Sequence, residues 1–211
     1  MVIFDLDGTL WNATVPITES WNMLVKRETG RDEGLTPEMI MSIQGLTMDV
    51  IADKLFGYLP PDERYDLAHK CEVFENEYLV EEKSGTLFDG VEETLAKLKD
   101  MGVKMAVVSN CQEGYIKAFL DSKDMWKYFV DYEEWGRTHL SKAENIRLVM
   151  DRNNEDKGIY VGDIQKDSDS AHEAGVPCID AAYGFGDITD AEGTIETFSD
   201  LPAVLKELGY L

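Results

Sequence analysis

The chain opens Met1-Val2-Ile3-Phe4-Asp5-Leu6-Asp7-Gly8-Thr9-Leu10, and the rest falls into place around this stretch. Met1–Phe4 is a short apolar run of the kind that forms a strand buried on both faces. It ends in two acids one residue apart. At a strand end such a pair points the same way, toward the crevice at the carboxyl edge where open α/β sheets bind ligands. Gly8 permits the tight turn that must follow. Two like charges this close repel unless a cation or a shared proton relieves them. Solvated loop acids are a poor alternative, because Phe4 and Leu6 flank the pair with apolar side chains.

Further short apolar runs lie at Val103–Val108, Phe129–Tyr132, Gly158–Val161 and Pro177–Ala181. Segments of helical period stand between them. In 89–101, Val91, Leu95 and Leu98 share a face, and in 142–152 Ile146 and Val149 do, with Met150 beside them. Alternating strand and helix predict an α/β fold with a five-stranded parallel sheet covered by helices on both faces. Asp89 with Glu92 and Ser141 with Glu144 have capping-box spacing. Gly102 and Gly175 fall where helices should stop, and a last short helix begins near Leu201.

The segment from about Asn12 to Ser84 breaks this alternation and holds no convincing strand. Ile17, Trp21, Leu24 and Val25 share one helical face, and Leu67, Cys71, Phe74 and Tyr78 another. Thr36-Pro37 reads as an N-cap with proline at the first helical position, and 57–61 as a break between helices. Residues 13–84 are therefore predicted to be an inserted helical domain, and residues 1–12 with 85–211 the sheet domain.

Composition narrows the function. The chain has 211 residues, with Lys+Arg 20 against Asp+Glu 42, a net charge of −22. That excludes the basic footprint a nucleic-acid backbone needs and disfavours anionic membrane surfaces. No apolar run is long enough to span a membrane, and the first residues do not read as a signal peptide. Cys71, Cys111 and Cys178 are odd in number and scattered, as are the three histidines, so neither a disulfide framework nor a zinc site is expected. A cytoplasmic protein, monomeric or a small homo-oligomer, is expected.

The polar residues that close the strands carry the chemistry. Ser109 and Asn110 end the second predicted strand, where a hydroxyl and an amide can hold a phosphate oxygen. Cys111 beside them reads as a bystander. Lys142 stands in the first turn of a helix, against the helix dipole, which suits a site where an anion binds the same helix end. Taken alone, a solvated lysine is the commoner reading. Gly162-Asp163 ends the fourth strand, with Asp167 following. Asp5, Asp7 and Asp163 can thus present oxygens to one hard cation, and Mg²⁺ takes one or two carboxylates along with waters and phosphate oxygens.

This ordered set, carried by VIFDLDGTL, VVSN, SKAENIRLVM and YVGDIQKDSDSAHEAGV, resembles the haloacid dehalogenase-like superfamily. The inserted helices resemble the helical cap of its phosphoglycolate phosphatase and β-phosphoglucomutase-like branch. The resemblance implies a Rossmann-like three-layer sandwich and a Mg²⁺-dependent phosphatase acting on a small phosphorylated metabolite. It implies Asp5 as nucleophile and Asp7 as general acid and base. Mg²⁺ would be held by Asp5, the Asp7 carbonyl and Asp163. Ser109, Asn110 and Lys142 would hold the phosphoryl group, with Asp167 and Thr9 supporting them. In the cap, Gln44, Gly45 and Thr47 would meet the leaving group, and the loop 183–186 would line the site. Asn12 and Ala143 depart from residues common in relatives. Dehalogenases lack the Asp7 carboxyl, which favours phosphate esters. A phosphosugar mutase would need cap cations aimed at a second phosphate, with Lys26, Arg27, Arg31 and Lys54 the candidates. A non-catalytic binding or regulatory protein is the remaining alternative, and the presence of both acids speaks against it.

Overall fold

The computed structural model describes residues 1–32, 34–44 and 46–211. The first strand, β1 (Val2–Phe4), is followed by a two-residue strand, β2 (Trp11–Asn12), and four helices, α1 (Thr14–Thr29), α2 (Pro37–Met41), α3 (Met48–Phe56) and α4 (Pro61–Glu81). Then come β3 (Thr86–Leu87), α5 (Val91–Asp100), β4 (Met105–Ser109), α6 (Tyr115–Ser122), β5 (Asp131–Glu134), α7 (Trp135–Thr138) and α8 (Lys142–Arg152). The chain closes with β6 (Ile159–Gly162), α9 (Gln165–Ala174), β7 (Cys178–Ala181), β8 (Gly193–Ile195) and α10 (Leu201–Glu207).

Six strands form one parallel sheet in the order β5-β4-β1-β6-β7-β8. Side chains of β1 alternate between faces, as the pleat requires. Val2 and Phe4 pack with Leu95 and Leu98 of α5, Phe119 of α6 and Leu205 of α10. Ile3 points the other way and joins Val108, Ile146 and Val149 of α8, and Ala171 of α9. Both faces are covered, so the strands read as continuous apolar runs. The chain leaves β1 toward β4 and β5, then returns to lay β6, β7 and β8 on its other side. The order reverses at β1/β6, and the crevice at that switch point lies over the carboxyl ends of these two strands.

The sheet has six strands rather than five. The missed one, β8, is an edge strand of three residues that begins with glycine, and only Ile195 is buried. β5 starts two residues later than its apolar run and carries the acids of Asp131-Tyr132-Glu133-Glu134. Arg152 pairs with Asp131 at 2.7 Å and Glu133 at 2.6 Å. Glu134 accepts the Gly114 N–H at 2.7 Å and the Ile116 N–H at 3.2 Å at the start of α6. Tertiary partners thus override the weak strand preference of these acids.

The Ser141–Glu144 capping box forms, with the Glu144 N–H donating to Ser141 Oγ at 3.2 Å and the Ser141 N–H to Glu144 at 2.8 Å. The Thr36 cap forms too. The Asp89–Glu92 box does not: Gly90, in the left-handed region, starts α5 without a side-chain cap, and Glu92 accepts the Tyr128 hydroxyl instead.

Between β2 and β3 the chain is helical. β2 and β3 themselves pair antiparallel, Trp11 opposite Leu87 and Asn12 opposite Thr86, forming a short ribbon where the helices leave and rejoin the sheet. Helix α1 buries Ile17, Trp21, Leu24 and Val25, as its periodicity predicts. On α4 the buried face is Leu67, Ala68, Cys71, Glu75 and Leu79. Phe74 and Tyr78, expected on that face, are half-buried beside it. Arg27 covers the Phe74 ring at 5.1 Å and Glu19 accepts the Tyr78 hydroxyl at 3.1 Å. A buried glutamate therefore occupies a place where pattern reading puts an apolar residue. Among the described residues, no helix is long and apolar enough to cross a membrane.

Candidate active site

The turn after β1 is wound tightly enough to hold two acids at the crevice. The Asp5 N–H still belongs to the sheet, donating to the Val161 carbonyl at 2.9 Å. The Leu6 carbonyl accepts the Leu10 N–H at 2.9 Å, and the Gly8 N–H donates to Trp11 at 3.0 Å. Gly8 has φ of +81°, and a Cβ there would lie 2.0 Å from Asp163 Oδ2. Glycine is required on both counts, conformation and close approach. Gly184 serves Asp163 from the other side, where an added Cβ would meet the Asp163 side chain at 2.3 Å.

Lys142 is the counter-charge of the site. It is the first residue of α8 and is only 4% exposed, not a solvated surface lysine. Its Nζ lies 2.8 Å from Asp5 Oδ1 and 2.5 Å from Asp167 Oδ1. Burial alone would lower the affinity of Lys142 for its proton. The carboxylates of Asp167 and Asp5 reverse this and raise it, so the ammonium stays charged. The other oxygen of Asp167 accepts the backbone N–H groups of Asp163 at 3.1 Å and Ile164 at 3.2 Å. Asp167 is thus committed to holding Lys142 and the loop after β6.

The remaining acids are under-compensated. Burial, against the pull of Lys142, pushes Asp5 up to about 6. Asp163 is pushed up to about 8 by burial and by repulsion from Asp5 and Asp167. It accepts the Phe185 N–H at 2.8 Å and a long contact from the Thr9 hydroxyl at 3.5 Å. Asp7 turns away from this cluster and accepts the Tyr115 hydroxyl at 2.8 Å. Its carboxyl is pushed up to about 7, chiefly by burial, with the Tyr115 hydrogen bond opposing.

The predicted set is thus largely brought together. Asp5, Lys142, Asp163 and Asp167 form one buried cluster, with Thr9 beneath Asp163. Ser109 and Asn110 join Asp7 around a cavity of about 60 Å³. Gln44 lines the opposite wall of that cavity. Thr47 starts α3 and is not among the residues that line the cavity. Gly45 lies outside the described residues. In the loop 183–186, Phe185 supplies its N–H to Asp163, and the Tyr183 hydroxyl donates to the Thr9 carbonyl at 2.7 Å. Cys111 lines the cavity, and burial pushes its thiol well up, so it offers no thiolate. A separate cavity of about 620 Å³ is lined by Leu87, Phe88 and Phe198 among others, and none of Asp5, Asp7, Asp163 and Asp167 lines it.

Several side chains at the site escape pattern reading. Tyr160, in the apolar run of β6, donates to the Val108 carbonyl at 2.7 Å and lies 3.3 Å from Asp5 Oδ1. Tyr115 opens α6 and reads as core. Glu75 of α4 reaches the cavity from the helical insert, where Trp21 Nε1 donates to one oxygen and Gln112 Nε2 to the other at 2.8 Å. The one available signal is negative: a glutamate on a face whose spacing calls for an apolar residue.

The cluster suits a hard cation. Oxygens of Asp5, Asp163 and Asp167 all lie within 4.8 Å of one another, and all three residues are buried. Every donor is oxygen, as Mg²⁺ prefers. The raised values of Asp5 and Asp163 mark negative charge that Lys142 alone does not balance. Asp167 is occupied by Lys142 and the backbone, so the free donors are on Asp5 and Asp163.

A buried carboxylate nest around one lysine, at the switch point of a parallel sheet and roofed by inserted helices, defines an enzyme with a sequestered polar site. Residues 2–181 match the model of the haloacid dehalogenase-like hydrolases, and the chain belongs to that family. It is 28% identical to a phosphoglycolate phosphatase of Pseudomonas savastanoi pv. phaseolicola, over 88% of this chain and 70% of that one. Its fold superposes on a predicted phosphoglycolate phosphatase from Haemophilus somnus 129pt with a TM-score of 0.80, at 21% identity, covering 97% of this chain and 96% of that one. CbbY from Rhodobacter sphaeroides in complex with phosphate superposes with a TM-score of 0.79, at 18% identity, covering 97% and 98%.

Proposed function

We propose that this hydrolase is a Mg²⁺-dependent phosphatase that cleaves a small phosphorylated metabolite through an aspartyl-phosphate on Asp5. The observation that carries this reading is Lys142 held between Asp5 and Asp167, beside a second carboxyl group, Asp7, that is not paired with a cation.

In the first step an Asp5 carboxylate oxygen attacks phosphorus and the ester P–O bond breaks. Asp7 gives its proton to the departing oxygen. A carboxyl near 7 is matched to that task at neutral pH, since an acid is most effective when its pKa lies near the working pH. In the second step the Asp7 carboxylate takes a proton from water. The water oxygen attacks phosphorus, the Asp5–phosphorus bond breaks, and inorganic phosphate leaves with Asp5 restored. Splitting one displacement into two lowers each barrier. Lys142, Ser109 and Asn110 hold the phosphoryl oxygens and Lys142 offsets their charge. Asp5, Asp163 and the Asp7 carbonyl would hold Mg²⁺, which when bound supplies charge neutralisation and alignment of the phosphoryl group.

On this reading residues 1–12 and 85–211 carry the chemistry, and residues 13–84 are a cap that excludes water. The Glu75–Gln112 hydrogen bond and that from Asn76 Nδ2 to the Glu113 carbonyl, at 3.0 Å, join the two. The names of the relatives support a small phosphorylated substrate, and the cytoplasm as its place is part of the same proposal. A mutase gains no support. Lys26 is paired with Asp32 in solvent, Arg27 lies over Phe74, Arg31 lies over Tyr58, and Lys54 is exposed. None of these cations lines the cavity.

The test is phosphate release from an aryl phosphate and a panel of small phosphate esters, with Mg²⁺ and with chelator. Release that needs the cation and disappears in Asp5→Asn is expected. Undiminished release by that variant contradicts the reading.

A further inference from the structure

The cavity between sheet and helices fixes what kind of alcohol can leave. Its polar wall is Asp7, Gln44, Glu75, Ser109, Asn110 and Gln112, and the rest is aliphatic, aromatic and Cys111. Among the described residues, no lysine or arginine lines it. Lys142 sits behind Asp5, on the phosphoryl side. At about 60 Å³ the cavity takes a leaving group of only a few heavy atoms.

Glu75 is the distinctive feature of this wall. It is 3% exposed, and its two oxygens accept from Trp21 and Gln112, both donors. A carboxyl group accepts more than two hydrogen bonds whether or not it carries its proton, so Glu75 retains acceptor capacity. Gln44 faces the same space with its amide oxygen and nitrogen both enclosed and neither hydrogen-bonded. Buried polar atoms of this kind are expensive unless a ligand satisfies them.

Resting on the phosphatase reading, we infer that Glu75 and Gln44 select a leaving alcohol with a hydrogen-bond-donating, non-anionic tail, an ammonium or a hydroxyl, and reject one bearing a carboxylate. A ligand carboxylate would bring a charge into a cavity where, among the described residues, no cation can pair with it, and where Asp7 and Glu75 could not ionise beside it. Desolvating an anion without a counter-charge is strongly unfavourable. A ligand ammonium supplies the counter-charge that lets Glu75 release its proton and pair with it, and a hydroxyl brings a donor. Discrimination of this type, where buried polar groups are left unpaired by the wrong ligand, is the strong kind. The preference therefore departs from the substrate in the relatives' name, whose tail is a carboxylate.

The experiment compares kcat/KM for three two-carbon esters of one skeleton: 2-aminoethyl phosphate, 2-hydroxyethyl phosphate and 2-phosphoglycolate. An aryl phosphate serves as control, and Glu75→Gln runs beside the parent. The parent is expected to favour the amino and hydroxyl esters over 2-phosphoglycolate by on the order of 10²-fold. Glu75→Gln is expected to narrow the amino-to-carboxylate ratio by about tenfold or more. Preference of the parent for 2-phosphoglycolate, or a ratio unmoved in a folded Glu75→Gln, overturns the inference while the phosphatase reading stands. No release from any ester, the aryl control included, overturns the phosphatase reading and this inference with it. The ratio measured on the parent decides even where the variant does not fold.

Discussion

Two groups of buried carboxylates, one at the sheet edge and one in the helical insert, are stabilised differently. At the sheet edge, Asp5 and Asp167 share Lys142, and Asp167 also accepts two backbone N–H groups. In the helical insert, Glu75 has only two neutral donors, Trp21 and Gln112, and is pushed up to about 8, chiefly by burial. The first group is a preorganised charge pair, able to meet a phosphoryl group without rearranging. The second is an uncompensated acid that a ligand can complete. On the proposed reading, chemistry belongs to the group that holds Lys142 and selectivity to the group that has no cation.

The largest effect should come from the sheet edge. Asp5→Asn is expected to reduce phosphate release by about 10⁴-fold or more while leaving the fold intact, as circular dichroism and kinetics on one preparation would show. Next, Lys142→Ala leaves Asp5 and Asp167 buried without their cation. Breaking a buried pair in this way costs about 3–5 kcal/mol, readable in denaturant unfolding at neutral pH. A change of under about 1 kcal/mol would mean that the backbone donors alone support Asp167.

The Glu75 side of the comparison shows itself in pH dependence. In the fold Glu75 holds its proton up to about 8, whereas an ordinary glutamate releases it near 4.5. A raised carboxyl contributes stability that is fully present below the unfolded value and is lost as pH rises through the folded one. Between pH 4.5 and 8 the parent should therefore lose stability relative to Glu75→Gln, by of order a few kcal/mol. Parallel unfolding curves across that window would show that Glu75 does not titrate abnormally. The smallest effect belongs to Tyr115→Phe. The Tyr115 hydroxyl favours the ionised form of Asp7, so removing it raises that carboxyl further. The alkaline limb of the pH–rate profile should move up by about one unit or less, with kcat reduced by about tenfold at most.

The same contrast explains what could be read from the chain. The sheet-edge acids lie at strand ends, where period and position determine direction, so Asp5, Asp7, Asp163 and Asp167 were legible as one crevice. Lys142 was legible by its anomalous place at a helix start, though not its burial. The cavity wall was hidden because its residues come from α1, α4 and the loop after β4, which no local spacing relates. Tyr115 and Tyr160 look like core, and their hydroxyls matter only once the strands are side by side. Strand β8 was hidden because it has one buried side chain, and the Asp89 cap because Gly90 could start α5 in a conformation that needs no side-chain acceptor.

The central claim is that Asp5, held by Lys142, becomes covalently phosphorylated. The most direct measurement is mass spectrometry of the acid-quenched Asp7→Asn protein after exposure to an aryl phosphate and Mg²⁺. This variant lacks the base that activates water for the second step. The account predicts the mass of one phosphoryl group on the peptide carrying Asp5, absent when Asp5→Asn is added. Phosphate released by the parent with no such adduct, or an adduct on another residue, would contradict it.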